Sequence, residues 1–400
     1  MLREFFCYIC ETFLFCEMDS PFIYNRPVSG RYFVGRKTEC TVLGNMLRDG
    51  ENVSLYEAPK TGKGSILQQV FSTLKLESRQ FRVVSVSAMN VRSVSDFCIR
   101  LGSEILKAYG STSADYASLV ADHLAGSHFV FDELMWQNNG SILTLDWEID
   151  EVDIRSVISL PYRIAQQSNN KLFVCIDEFQ SVMLTEDGDA ICKVMQEVFK
   201  ARTAEDRQSA AYILCGSRVN AMKEIFEHRR LFHRQVERVK LEDIDSKDIV
   251  DSVNRGFLMS GKVVDRGLML GVCELFQNNI YYINFFASLC DALSKGYIME
   301  PVLNEALADM VAIHEPRFRA IMADLTTFQV SLLRAILDGH TRFSSAEVIR
   351  RYDLNSSANV RRLKDALCKK EIITFDSDDN PQLLDPLFEY WVTKYYFEIQ

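Results

Sequence analysis

No run of 18 uncharged apolar residues occurs in this 400-residue chain, which argues against a membrane-spanning helix. No export signal is expected either. Glu11 breaks the aromatic-rich opening and no small residues follow it, so residues 1–17 read as an N-terminal extension before a fresh start at Met18. Basic residues are in deficit, 45 against 55 acidic, and the net charge of −10 excludes a whole-chain electrostatic grip on nucleic acid while leaving room for a local basic patch. Cys7 and Cys10 form a CxxC with Cys16 nearby, but no second pair or neighbouring His completes a zinc set. The other cysteines are scattered, many inside apolar runs, the pattern of buried reduced thiols in a cytoplasmic protein. Internal repeats and low-complexity segments are absent. What is present, 48% apolar and 25% charged residues, is ordinary globular material sufficient for two or three domains.

The hydrophobic pattern alternates between two periods. Residues 22–31, with Pro27 and Gly30, read as an extended arm. Short β-prone runs at 52–56, 81–86, 171–176 and 211–215 are separated by helical spacing at 39–47, 65–71, 94–108, 152–168 and 189–201. Strands alternating with helices predict a parallel sheet covered on both faces, and continuous apolar runs fit strands buried on both sides. Residues 110–150 read as an irregular or partly helical insertion. Beyond Leu241 the strand signals stop, and 245–320 read as helical throughout. The boundaries expected are 18–242 for the α/β domain, 243–324 for a helical domain and 325–400 for a C-terminal module.

Between the first strand and its helix lies Glu57-Ala58-Pro59-Lys60-Thr61-Gly62-Lys63-Gly64-Ser65. A strand, a flexible loop with Gly62-Lys63 and then a helix is the context in which backbone N–H groups and a helix N-terminus cradle phosphates while a lysine reaches the β and γ oxygens. Pro59 to Ser65 are therefore the candidate nucleotide-binding residues. Against GxxxxGK[ST] the chain departs twice, with Glu57 at the first glycine and Gly64 at the hydroxyl that holds Mg²⁺; Ser65, after a small shift of the helix start, or a water stands in for that ligand. The run 172–176 ends in Asp177-Glu178, which suits an Mg²⁺-shell carboxylate followed by a base for the attacking water. A later strand ends in Gly216-Ser217, placing a hydroxyl for a γ-phosphate or its water.

These stretches resemble a family. Phe33-Val34-Gly35-Arg36-Lys37-Thr38-Glu39 is similar to the FxGRExE box opening archaeal-type ATPases of the STAND branch of the AAA+ class, and the phosphate loop, Ile176-Asp177-Glu178-Phe179 and Cys215-Gly216-Ser217 fall in that family's order. The resemblance implies an AAA+-like P-loop α/β domain, a helical lid and a winged helix. It also implies ATP and Mg²⁺ as cofactors, Glu178 as catalytic base and Arg234, in Leu231-Phe232-His233-Arg234, as a γ-phosphate arginine. Asn278 to Tyr282 fall where that family's lid has Gly-x-Pro-Tyr, though both Gly and Pro are absent.

Residues 325–370 read as three helices, followed by a hairpin with an acidic turn at 376–380, the winged-helix order. Eight Lys or Arg against three acids between 342 and 370 make a local basic patch, and Arg361, Arg362 and Lys364 are the candidates for a groove of duplex DNA. Acids in the wing oppose that contact, so a protein partner or docking within the chain stands beside it. The expectation is a slow Mg²⁺-dependent ATPase used as a conformational switch, with a non-catalytic DNA- or protein-binding regulator as the alternative. Self-association is compatible with either; a membrane partner is not expected.

Overall fold

The computed structural model describes residues 20–77 and 80–399. The 1–17 extension and its CxxC lie outside the described residues. The described chain forms two compact units, one of residues 20–35 with Ile244–Arg317, the other of 36–243 with 318–399.

The larger unit opens with α1 (Lys37–Asp49), which leads into β1 (Val53–Tyr56), α2 (Lys63–Leu76), β2 (Phe81–Ser87) and α3 (Val94–Lys107). An insertion follows: α4 (Ser113–His123), β3 (Phe129–Phe131), α5 (Glu133–Asn139) and β4 (Leu143–Leu145). The chain then returns through α6 (Glu151–Ser168), β5 (Lys171–Asp177), α7 (Gly188–Ala201), α8 (Ala204–Ser209), β6 (Ala210–Gly216), α9 (Val219–Lys223) and β7 (Glu237–Arg238). Five strands form one parallel sheet in the order β2-β5-β6-β1-β7. β1 and β6 are buried at every position, as double-sided cover demands. Because all five strands run the same way, the residues after β1, β5 and β6 emerge side by side at one edge of the sheet.

The insertion is more regular than its sequence suggested. β3 and β4 pair antiparallel around α5, and the buried Ser103 hydroxyl of α3 accepts from the N–H groups of Ile142 (3.2 Å) and Leu143 (3.1 Å). A Cβ at Gly102 would stand 2.3 Å from Leu143 Cδ1, so the glycine lets the hairpin close on α3. Strands of three residues split by a helix are too short to show a period, which is why the stretch looked irregular. Next to it, Asp150 and Asp153 form a capping box that starts α6. The Asp153 carboxylate, fully buried, accepts from His128 N (2.7 Å) and Asp150 N (2.9 Å) and lies 3.0 Å from His128 Nδ1. His128, Asp150 and Asp153 are close enough to suggest a metal site, but these donors already occupy Asp153.

The smaller unit contains α10 (Ser246–Met259), β8 (Val263–Val264), α11 (Arg266–Leu275), α12 (Ile280–Leu293), β9 (Tyr297–Ile298) and most of α13 (Glu300–Ala323). The region is helical apart from β8 and β9, a two-residue parallel bridge too short for a sequence signal. The extended arm packs onto it. Phe22 lies 4.6 Å from the Phe257 ring where Gly256 leaves room, Tyr24 stacks on Phe285 at 4.7 Å, and Asn284 Nδ2 donates to Ile23 O at 3.1 Å.

The C-terminal part completes the larger unit with α14 (Thr327–Leu337), α15 (Ala346–Arg351), α16 (Ser357–Lys369), the antiparallel pair β10 (Ile373–Phe375) and β11 (Pro381–Leu383), and α17 (Pro386–Trp391). Thr326, Ser345 and Ser356 cap the three helices through their side chains, and Gly339, with φ +81°, ends the first. Phe388 and Trp391 close the tail on Phe318, at ring separations of 5.5 and 5.6 Å.

The hydrogen bond to Asp153 raises the pKa of His128 above its ordinary 6.5, and Asp150 and Asp146 act in the same direction. A group whose folded pKa is raised contributes fully below its unfolded value and loses that contribution as pH rises through the folded one. His128→Ala should therefore be less stable than the native protein at pH 6, with the gap closing toward pH 8.5 in denaturant unfolding. Parallel profiles would dismiss the pair as a stabilising element.

Candidate functional site

The candidate site assembles at the carboxyl ends of β1, β6 and β5, which are adjacent in the sheet. After β1 the chain makes a tight loop. Lys60 takes φ +68° and Gly62 φ +93°, and α2 begins at Lys63. The ammonium of Lys63 donates to Glu57 O (2.7 Å) and Ala58 O (2.9 Å), while Thr61 Oγ1 donates to Ala58 O (2.8 Å). Arg36, which precedes α1, donates from Nη1 to the Thr61 carbonyl and from Nε to Glu242 O at 3.3 Å. A Cβ on Gly62 would stand 3.1 Å from that Nη1, so the glycine is required by both its backbone angle and the arginine over it. Ser65 falls in the first turn of α2, half-buried.

Burial lowers the pKa of Lys63, with Cys215, Glu178, Asp177 and Glu57 opposing the shift. The cation and the acidic strand end are thus within electrostatic reach. At the end of β5, Glu178 takes φ +54° and donates its N–H to Asp177 Oδ1 at 3.0 Å. Asp177 is open to solvent, yet partial desolvation and then Glu178 raise its pKa, against the pull of its backbone hydrogen bond and Lys63. Glu178 Oε2 accepts from the Ser217 hydroxyl (2.8 Å) at the end of β6 and from Gln180 Nε2. Gly216 has no room for a side chain, since a Cβ would lie 2.5 Å from Met222 Cγ and 2.6 Å from Gln180 Oε1.

Glu57, the residue that stands where the loop's first glycine is usual, directs its charge toward β7. Its Oε1 accepts from Leu241 N at 3.3 Å and lies 3.8 Å from Arg238 Nη2. Arg238 lies 4.2 Å over the Tyr56 ring and is ion-paired to Glu227, which accepts from the Tyr56 hydroxyl at 2.8 Å. Burial raises the Glu57 carboxyl pKa, and Arg238, the Leu241 N–H and Lys63 restrain it.

The loop residues Glu57, Ala58 and Thr61 line a groove of about 1480 Å³ together with Gln180, Arg238, and Arg361 and Lys364 of α16. Arg234 is exposed, with φ +60°, and is not among the residues lining that groove. Its loop is anchored by Phe232, buried against Phe179 (6.0 Å) and Phe226 (5.7 Å). In the winged helix, Lys364 is paired with both oxygens of Asp379 at 2.9 Å and lies 4.0 Å over Phe375, while Arg362 is exposed. Sequence reasoning missed Gln180 and Arg238. It had Arg36 only as part of a box, with no mechanical role. The one available signal was for Gln180, a polar residue two positions after Glu178.

The family model "Probable winged helix domain" matches residues 316–394. Among solved structures the chain is similar to a Walker-type ATPase of Pyrococcus abyssi, with 15% identity, a TM-score of 0.64, and coverage of 92% of this chain and 99% of that one. It is also similar to the ORC2 protein of Aeropyrum pernix. The ADPNP–ADP complexes give 13% identity, TM-score 0.58 and coverage of 93% and 94%, and the ADP form gives 11%, 0.53, 92% and 93%. No curated protein sequence matches. At these identities the likeness is one of fold: the chain has the α/β fold of AAA+ P-loop ATPases with a C-terminal winged helix domain. Among the described residues no helix is long and apolar enough to cross a membrane.

Asp177 provides a stability test. A carboxyl whose folded pKa is raised destabilises the fold once pH exceeds that value, because the unfolded chain ionises more readily. Asp177→Asn should therefore melt higher than the native protein at pH 7, with the gap closing toward pH 4. An Asn variant that melts lower at pH 7 would refute this account of the site's electrostatics.

Proposed function

We propose that this protein binds ATP with Mg²⁺ and hydrolyses it slowly, using nucleotide state as a conformational switch. The observation carrying the proposal is the convergence of Lys63, Asp177, Glu178 and Ser217 from three adjacent strand ends onto one crevice. In this reading the loop Pro59 to Ser65 cradles the phosphates, with Lys60, Thr61, Gly62 and Gly64 presenting backbone N–H groups and Lys63 exchanging loop carbonyls for β and γ oxygens. Asp177 holds the Mg²⁺ shell, with Ser65 as a further ligand, Glu178 activates water, and Ser217 senses the γ-phosphate. The likeness in fold to a Walker-type ATPase and to a protein solved with ADPNP and ADP supports the assignment. Arg234 is proposed as a γ-phosphate arginine, with Arg238 the nearer cation in this conformation.

Two features favour slow turnover, on the order of 1 s⁻¹ or less. Gly64 offers no hydroxyl to Mg²⁺, and Glu178 Oε2 already accepts from Ser217 and Gln180, which makes the carboxylate a weaker base. The same features favour the second reading, a regulator that binds nucleotide without hydrolysing it. For the winged helix we propose contact with duplex DNA through Arg361 and Arg362; Lys364 contributes less because Asp379 neutralises it. STAND-branch membership and a cytoplasmic location accompany the ATPase reading.

Mg²⁺-ATP at about 100 times its Kd should stabilise the protein by about 2.7 kcal/mol, seen as a rise in melting temperature that Lys63→Ala abolishes. No rise in the native protein would remove the nucleotide-binding proposal. Phosphate release should fall at least tenfold in Glu178→Gln, and equal rates would leave only the regulator. Gly64→Thr should raise Mg²⁺-dependent turnover; unchanged turnover would mean that Ser65 or water already completes the metal shell.

A further inference from the structure

Glu371 is the first residue beyond the C-cap of α16 and takes a left-handed backbone, φ +54°. Glycine is the usual occupant of such a position, because an L side chain is strained there. Its N–H closes the helix end on Cys368 O at 2.9 Å, but its carboxylate leaves the winged helix altogether. Oε2 accepts from Asn220 N and Asn220 Nδ2, both at 3.1 Å, and Oε1 from Ala221 N at 3.0 Å. Further bonds reinforce the contact. Asn220 Nδ2 reaches Cys368 O (3.0 Å) and Ile373 O (2.8 Å), Lys223 Nζ reaches Thr374 Oγ1 (2.8 Å) and Phe375 O (2.7 Å), and Arg218 Nη2 reaches Lys369 O (3.3 Å).

Every partner on the α9 side lies within six residues of Ser217, whose hydroxyl holds Glu178. α9 continues as a π-helix, Glu224–His228, whose Glu227 binds Tyr56 and Arg238 beside the phosphate loop. One short rod therefore touches the winged helix at one end, Tyr56 and Arg238 next to the loop at the other, and the acidic strand end lies against Ser217 just before it. A carboxylate at a strained position, aimed entirely at another domain, is a feature that packing of the winged helix alone does not require. Burial raises its pKa even with its N–H partners, so the contact is one that opening to water would partly relieve.

We propose that Glu371 latches the winged helix to the segment 217–228, and that nucleotide binding and the latch oppose one another. This rests on the ATP-binding reading. In the latched state Glu178 Oε2 accepts from both Ser217 and Gln180, which weakens it as a base. A γ-phosphate that draws Ser217 to itself pulls on the residues that Glu371 holds. By reciprocity, loosening the latch tightens nucleotide binding by the same factor that nucleotide loosens the latch.

The test uses the full chain and Glu371→Gly, which removes the carboxylate and suits the left-handed backbone, so the winged helix should fold. Half-buried Cys368 reports latch opening through N-ethylmaleimide alkylation read by peptide mass spectrometry, with rates compared per thiolate because the Glu371 charge itself raises the thiol pKa. Without nucleotide, E371G should react at least tenfold faster than native protein, with hydrogen exchange of Thr327–Leu337 unchanged. E371G should also bind Mg²⁺-ATP at least fivefold tighter by calorimetry, and Mg²⁺-ATP should speed Cys368 alkylation in the native chain. If E371G fails to fold, Glu371→Gln provides the same comparison with a two- to threefold change. Equal alkylation rates overturn the latch, and faster alkylation with unchanged ATP affinity overturns the opposition. Faster alkylation with no ATP binding by any variant leaves the latch standing and overturns the nucleotide reading instead.

Discussion

A single half-buried ammonium, that of Lys63, is the constraint around which the α/β unit is arranged. It occupies ground where desolvation works against its charge, and only the carbonyls of Glu57 and Ala58 and the nearby Asp177 and Glu178 make that position tolerable. Those partners come from different strands, so the parallel sheet is what brings the compensating charges to the lysine. Arg36 then fixes the loop from outside through the Thr61 carbonyl, and Gly62 provides the clearance. The arrangement is a charged crevice held open by backbone geometry, and polar sites of this kind trade stability for function.

The departures from a standard phosphate loop look less disruptive once charge is followed through the fold. Glu57 would oppose a polyphosphate if it faced the cradle, but Arg238 and the Leu241 N–H draw its carboxylate toward β7. Glu227 and Tyr56 hold Arg238 in turn, so an acid in an unfavourable sequence position is absorbed by a four-residue cluster. Gly64 has no such compensation among the described contacts, which is why metal binding and turnover are the steps on which the enzyme and regulator readings divide.

Much of this was legible in the sequence, and the reasons are local. Continuous apolar runs marked the strands, Gly62-Lys63 between a strand and a helix marked the loop, and the serine pairs Ser344-Ser345 and Ser356-Ser357, with Gly339, marked the ends of winged-helix elements. What escaped depends on contacts between distant residues. Arg238 meets Glu57 across 181 positions, and Glu371 meets Asn220 across 151. Neither pairing has a spacing rule. The insertion escaped partly for the same reason, since its ordering comes from a buried hydroxyl, Ser103, and a glycine, Gly102, on a helix earlier in the chain, and partly because its strands are too short to show a period. Glu371 itself gave no warning, because a left-handed helix end is announced by glycine and here the glycine is missing.

The π-helical stretch Glu224–His228 has a consequence for what this region tolerates. A wider turn advances less per residue, so the segment spans from Asn220 to Glu227 with one residue more than regular α-helix needs. Deleting one residue and closing up to α-helix therefore leaves Glu227 facing Tyr56, whereas deleting two swings it away by about 100°. Side chains along this rod can drift while its phase cannot, and a change in length that breaks the phase would uncouple the wing from the cluster of Tyr56 and Arg238 without touching a single catalytic group.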